Sequence, residues 1–237
     1  MPVDEDTVVD VEALRASLTS EIHLVVLTWI GASGALINPA AAIGRAIRES
    51  GSSALYLIDA SQAVGQIPVD VKELNCDALV ACGRKYLRGP RGTALGYISP
   101  RLARDAVPRK IDNFPTAWDA QRRLPLQTTK TLEIGEASVA LKLGLASAID
   151  QALAVGIVET REALDRTASK LRHVLAAIPG ARVLDVGRQK SACVTFVMDG
   201  FACATVKAAL AERGISIGMN GREYTPYDLD LRGISEL

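Results

Sequence analysis

The sequence predicts an α/β domain on a mainly parallel sheet, followed by a smaller α/β unit. Three observations point there. Short, continuous apolar runs recur at 23–28, 54–58 and 78–82, the texture of strands buried on both faces of a parallel sheet. Helical or turn-rich crossovers separate them, giving strand, crossover and strand in repetition. Past residue 130 the pattern changes to long helical periods followed by short strand candidates.

Each element has its own signal. Residues 10–19 place Val11, Leu14 and Leu18 on one helical face, with Asp10 as the N-cap. The run 23–28 is the first strand, followed by the small-residue loop Gly31-Ala-Ser-Gly34. Pro39 opens a helix whose apolar positions include Ala42, Ile43, Ala46 and Ile47. The second strand ends at Asp59, and a turn-rich crossover leads to the third, Ala78–Cys82. A fourth, 94–99, pairs antiparallel with it, because the segment from Lys85 to Thr93 leaves no room for a crossover helix. Residues 101–130 carry Pro108, Pro115 and Pro125 among polar residues and read as irregular surface chain. Helices are expected at 132–153 and 158–177, joined near Gly156. Strands at 181–186 and 192–198, a helix at 203–212 and a strand at 215–219 complete the chain. The expected division is a large domain over 1–150 and a small one over 151–237, bridged by the helix 158–177.

Composition narrows the class. Apolar residues make up 49% and charged residues 23%, the balance of a folded globular protein. Lys and Arg total 27 against 27 Asp and Glu, so no bulk field draws the chain to nucleic acid or anionic lipid. No apolar run approaches the about 20 residues that span a bilayer. The acidic start, Met-Pro-Val-Asp-Glu-Asp, lacks the regions of a signal peptide. Cys76, Cys82, Cys193 and Cys203 show neither CxxC pairing nor metal-ligand spacing, so no metal site is expected. A cytoplasmic protein with reduced thiols is the expectation.

The chemistry-bearing residues cluster. Asp59-Ala-Ser-Gln62 follows one buried strand, Gly83-Arg84-Lys85 follows the next, and Gly89-Pro-Arg-Gly-Thr93 turns away from it. In open α/β sheets ligands bind beyond the carboxyl ends of the strands, which is where Asp59 and Lys85 fall. Each feature alone has a plainer explanation. Aspartates cap turns, and lysines among arginines are usually solvated. Together they match the needs of pyridoxal-5′-phosphate (PLP). A lysine amine condenses with its aldehyde as a Schiff base that an incoming amino acid displaces. A carboxylate facing the pyridine nitrogen keeps that nitrogen protonated, so the ring can take up the electrons of a Cα carbanion. Gln62 is placed to hydrogen-bond the phenolic oxygen.

The stretch Leu57-Ile-Asp-Ala-Ser-Gln through Gly-Arg-Lys-Tyr-Leu-Arg-Gly-Pro-Arg-Gly-Thr-Ala-Leu-Gly-Tyr-Ile98 resembles the core of the class V aminotransferases. These are fold-type-I PLP enzymes that include cysteine desulfurases, isopenicillin N epimerase and hercynylcysteine sulfoxide lyases. The likeness extends upstream over Leu27-Thr28 to Ile43-Gly44 and downstream over Leu132-Glu-Ile-Gly-Glu-Ala-Ser138. It implies that Lys85 carries the cofactor, that Asp59 faces the pyridine nitrogen and that Gln62 faces the phenolate oxygen. It further implies cofactor contacts from Cys82 and Ser33, an amino-acid substrate and a homodimer in the complete form, with no nucleic-acid or membrane partner. Aminotransfer, C–S cleavage and epimerisation all stay open.

The sequence also departs from the family pattern. Trp29 stands where a histidine is common, Ser33 where asparagine is, and Cys82 where Ser or Thr meets the phosphate. Arg84 replaces a histidine and Glu136 a threonine; Glu-x-Gly-Glu-Ala is closer to the sulfoxide-lyase branch. Family members run longer at both ends, so the resemblance implies a truncated chain that binds PLP weakly on its own. The phosphate-binding helix and the ring-stacking aromatic would lie upstream. The arginine for the substrate carboxylate would lie beyond Leu237, leaving Arg84, Arg88 and Arg91 near the lysine. The rival reading is a non-catalytic remnant kept for association. A dinucleotide-binding fold would need a G-x-G-x-x-G turn after the first strand, which is absent.

Overall fold

The computed structural model describes residues 1–105, 116–126, 128–133 and 135–236. Helix α1 (Val11–Ser17) starts at Asp10, whose carboxylate accepts the N–H groups of Glu12 and Ala13 at 3.0 Å each. Strands β1 (Leu24–Thr28), β2 (Leu55–Asp59) and β3 (Ala78–Cys82) run parallel in that order, and β4 (Ala94–Ile98) joins β3 antiparallel. The short link between β3 and β4 enforces that reversal, as the sequence predicts.

One face of this sheet is a core. Val25, Leu27, Tyr56, Ile58, Leu79 and Ala81 alternate inward beneath helix α2 (Ala40–Glu49), α1 and the short helix α3 (Val71–Leu74). The Tyr56 hydroxyl donates to the Ala40 carbonyl at 3.1 Å, and burial raises its pKa above the phenolic range. Gly44 lets α2 and α3 meet, because a Cβ there would lie 2.0 Å from the Leu74 carbonyl oxygen.

The other face corrects the expectation of strands buried on both sides. Leu24 and Val26 are each 52% exposed and Val80 is 42% exposed. The apolar runs were read as doubly covered because each side chain is apolar. Alternating exposure follows instead from helices lying on one side only. Asp59 and Cys82 belong to this open face, in phase with Leu57 and Val80.

Beyond the sheet, the described residues within 101–130 include regular elements where irregular chain is expected. They hold most of helix α4 (Pro100–Asp105) and a hairpin of β5 (Thr116–Asp119) with β6 (Arg122–Pro125). Pro125 is tolerated at a strand end, and the Arg123 guanidinium lies 5.5 Å from the Trp118 ring centre. Residues 106–115 and 127 lie outside the described residues. Helices α5 (Val139–Val155) and α6 (Ile157–Ala176) meet at Gly156, φ 90°, with a 78° bend. No single helix among the described residues is long and apolar enough to cross a membrane.

The C-terminal unit pairs β7 (Ala181–Val183) with β8 (Phe196–Met198) against α6, and adds α7 (Cys203–Ala211) and α8 (Pro226–Arg232). Its polar anchor is the fully buried Asp185 side chain. Arg172 donates to it at 2.6 Å, as does the Thr195 hydroxyl. No strand forms at 215–219; that stretch helps line an apolar cavity of about 700 Å³ between α6, β8 and α7. Helix α8 was not foreseen. It starts with Pro226, ends at Gly233 (φ 64°) and buries Leu229 completely. The loop after β1 joins the two units: Val186 N–H donates to Gly34, Ser191 N–H to Ala35 and Ile37 N–H to Gln189.

At the amino edge of the sheet, Asp77 is 3% exposed and ties β2, β3 and α4 together. It accepts from Arg48 at 2.6 Å, from Arg101 at 2.7 and 3.0 Å and from the Tyr56 N–H at 2.9 Å. Burial alone would raise its pKa. Arg101, the Tyr56 amide and Arg48 outweigh that and hold it at about 2. An ordinary aspartate titrates near 3.8, so the folded state binds this proton later than the unfolded chain does. The resulting stabilisation, about 2 kcal/mol, is present above pH ~4 and lost as pH falls toward ~2. Urea unfolding of the wild type between pH 5 and 2 should show that loss. Asp77→Asn should be less stable at neutral pH and should flatten the pH dependence within the window.

Candidate active site

The site grows from the carboxyl edge of β2 and β3. Parallel pairing sets Asp59 between Thr28 and Val80. Its Oδ1 accepts the Ser61 N–H at 2.9 Å, an Asx turn that reverses the chain at the strand end. The Ser61 hydroxyl accepts the Cys82 N–H at 3.3 Å, tying the turn to the end of β3. Asp59 and Cys82 are thus held together on the open face through Ser61.

Lys85 sits on the turn between β3 and β4. Gly83 N–H donates to the Thr93 carbonyl, and Gly89 N–H to that of Gly83, each at 2.9 Å. Arg88 N–H closes the turn on the Lys85 carbonyl at 2.8 Å. Gly83 is required, since a Cβ there would lie 2.3 Å from the Thr93 hydroxyl. Lys85 and Gln62 line one cavity of about 810 Å³, whose far wall comes from the end of α5 and the start of α6. Neither the Lys85 amine nor the Gln62 amide has a hydrogen-bond or ion-pair partner among the described residues.

The structure therefore joins Lys85 to Gln62 and Asp59 to Cys82. Ser33 stands apart. It is buried, and its hydroxyl lies 3.1 Å from that of Thr225, so it is engaged by the C-terminal segment. Glu136 is exposed.

Sequence reading overlooked Gln66 and Gly65. The Gln66 side chain is fully buried; it donates to the Gln62 carbonyl, accepts the Ala192 N–H at 3.0 Å and bonds Tyr86. Burial raises the Tyr86 pKa against that hydrogen bond. Gln66 thus fixes Gln62, Tyr86 and the second unit at one point. A second glutamine in Gln62-Ala-Val-Gly-Gln66 gave only one signal, its apolar neighbours. Gly65 has φ 90°, and a Cβ there would lie 2.7 Å from both the Leu87 nitrogen and the Tyr86 carbonyl carbon. Only glycine lets the Gln62 turn lie against the Lys85 turn.

Comparison with known proteins identifies the family. The family Aminotransferase class-V matches residues 1–227, and the chain belongs to that family, one of PLP-dependent enzymes. A cysteine desulfurase of Synechococcus elongatus is 26% identical over 222 residues, covering 92% of this chain and 34% of the relative. A probable hercynylcysteine sulfoxide lyase of Mycobacterium tuberculosis is 30% identical over 209 residues, covering 87% of this chain and 50% of the relative. The chain thus spans between a third and a half of these relatives' length. In fold it superposes on the cysteine desulfurase CsdA of Escherichia coli with a TM-score of 0.87. That match has 22% identity and covers 99% of this chain and 58% of the other.

The residues present fit the ring end of PLP. An unpartnered lysine amine faces a cavity beside an unpartnered amide, and Asp59 keeps a second carboxylate oxygen beyond its bond to Ser61. At the phosphate end, the Cys82 N–H is already given to Ser61 and the Ser33 hydroxyl is engaged with Thr225.

Gly65→Ala forces a Cβ onto the backbone of the Lys85 turn. It should destabilise the chain by about 2 kcal/mol or more in urea unfolding. It should also expose Lys85 to faster acylation by an amine-reactive reagent in the folded state.

Proposed function

We propose that this chain carries the lysine-bearing part of a PLP-dependent enzyme acting on an amino-acid substrate, with Lys85 as the residue that holds the cofactor. The supporting observation is the cavity lined by both Lys85 and Gln62, whose amine and amide have no hydrogen-bond partner among the described residues. When bound, PLP supplies an electron sink for charge developing at the substrate Cα. Lys85 Nζ would hold the cofactor and would serve as the base for the substrate Cα proton. Asp59 would hold the ring nitrogen protonated, and Gln62 would donate to the phenolic oxygen.

Among aminotransfer, C–S cleavage and epimerisation, the names of the relatives favour cleavage at a carbon–sulfur bond. The substrate is then a sulfur-bearing amino acid, and the complete enzyme a homodimer. The large domain over 1–150 and the small one over 151–237 remain the proposed division.

Borohydride reduction of the chain with PLP, followed by peptide mapping, should place the pyridoxyl group on Lys85. Finding it on Lys130 or Lys142 would sink the assignment. Asp59→Asn retains the Oδ1 acceptor for Ser61, so the fold should survive. Turnover in the complete enzyme should fall by orders of magnitude, a loss of about 3 kcal/mol or more of transition-state stabilisation. An unfolded variant whose folded fraction keeps wild-type specific activity would make Asp59 a structural cap instead.

A further inference from the structure

Three arginines surround Lys85 in sequence and all three are exposed, but only Arg88 lines the Lys85 cavity. Arg88 is unusual in two further ways. Its backbone is left-handed, φ 60°, a region that L side chains rarely occupy and that the glycine next to it would adopt freely. Its guanidinium has no ion pair and no hydrogen bond among the described residues. Arginines that are more buried than Arg88 are closed by acids: Arg48 by Asp77, Arg172 by Asp185 and Arg232 by Asp228.

The rest of the cavity does not neutralise it. Glu159 is the one acidic side chain among the lining residues. Its carboxylate folds back over Gly156, to within 1.9 Å of where a Cβ of that residue would lie. There it faces the amino end of α6, where a negative charge is favoured, and it forms no ion pair with Lys85 or Arg88. Apart from Glu159, the charged lining residues are the cations Lys85 and Arg88, beside the amides of Gln62 and Gln151, a composition suited to an anion. A left-handed backbone and an unpaired guanidinium at the exposed rim of such a space together point to a ligand.

We infer that Arg88 is the oxyanion-binding residue of the Lys85 cavity, its guanidinium gripping a carboxylate or a phosphate of the bound molecules. The inference rests on the reading of Lys85 as the cofactor-holding residue only for the identity of those molecules. The two sources are the substrate carboxylate and the cofactor phosphate.

The test uses the full chain, with Arg88→Gly and Arg88→Lys. Glycine removes the guanidinium while keeping the left-handed turn, so the variant should fold; circular dichroism and urea unfolding check this. Calorimetry without PLP measures binding of inorganic phosphate and of L-cysteine, and absorbance measures PLP against pyridoxal, which lacks the phosphate. Arg88→Gly should weaken at least one oxyanion probe about tenfold or more, and Arg88→Lys should restore only part of the loss. Loss of phosphate binding and of the preference for PLP over pyridoxal assigns Arg88 to the phosphate. Loss of L-cysteine binding alone assigns it to the carboxylate. Wild-type affinity for all probes in folded Arg88→Gly overturns the inference, as does a wild-type chain that binds none of them. If pyridoxyl maps away from Lys85 while phosphate or L-cysteine binding still depends on Arg88, the Lys85 reading fails and this one stands.

Discussion

The crossover from β2 to β3 is the constraint on which the rest of the molecule depends. It begins at Asp59 on the carboxyl edge of the sheet and ends at Asp77 on the amino edge. At one end a carboxylate is left with a free oxygen at a strand terminus. At the other, a carboxylate is saturated by two guanidiniums, an amide and a hydroxyl. The two residues are of one type, and their surroundings divide the labour between them. Asp77 spends its charge on holding strands and α4 together, whereas Asp59 keeps capacity in reserve. Between them, Gly65 and Gln66 press the crossover onto the lysine turn and onto the second unit.

Much of this was legible in the residues. Apolar runs located the strands, Asp10 and Pro39 located helix starts, and the short link after Lys85 fixed the antiparallel β4. These signals are local, and local propensity and chain length decide them. What escaped depends on contacts far apart in sequence. Burial of one sheet face rather than two is decided by which helices lie nearby, and Leu24 and Val26 look alike to either answer. Helix α8 carried proline and glycine at its ends, but its reason to fold is Leu229 against distant residues. For the site, the residue types Asp59, Gln62 and Lys85 could be read, and the pairing of Lys85 with Gln62 and of Asp59 with Cys82 could not. Arg88 was one of three equivalent arginines until the turn geometry separated them.

The open sheet face and the comparison of lengths belong together. Leu24, Val26 and Val80 form an apolar surface on the side opposite α1 and α2, and Val139, Leu143 and Leu153 of α5 are likewise exposed. The relatives are two to three times as long as the matched region. A sheet with one face bare has about half of its possible burial, and the stability of the described fold comes from the covered side and from the polar anchors at Asp77 and Asp185.

Gly156 has a mechanical meaning. The far wall of the Lys85 cavity is built from both arms of the bent pair, with Gln151, Ala152 and Val155 on one side of the bend and Thr160, Ala163 and Thr167 on the other. Each arm is a stiff rod, so the width of the chamber is a lever's function of one residue's dihedral angles. The angle at Gly156 therefore sets the space before the lysine. The α6 arm packs on β7, and the hydrogen bonds of Val186 and Ser191 to the loop after β1 pin its far end, so the angle at Gly156 is held from both sides.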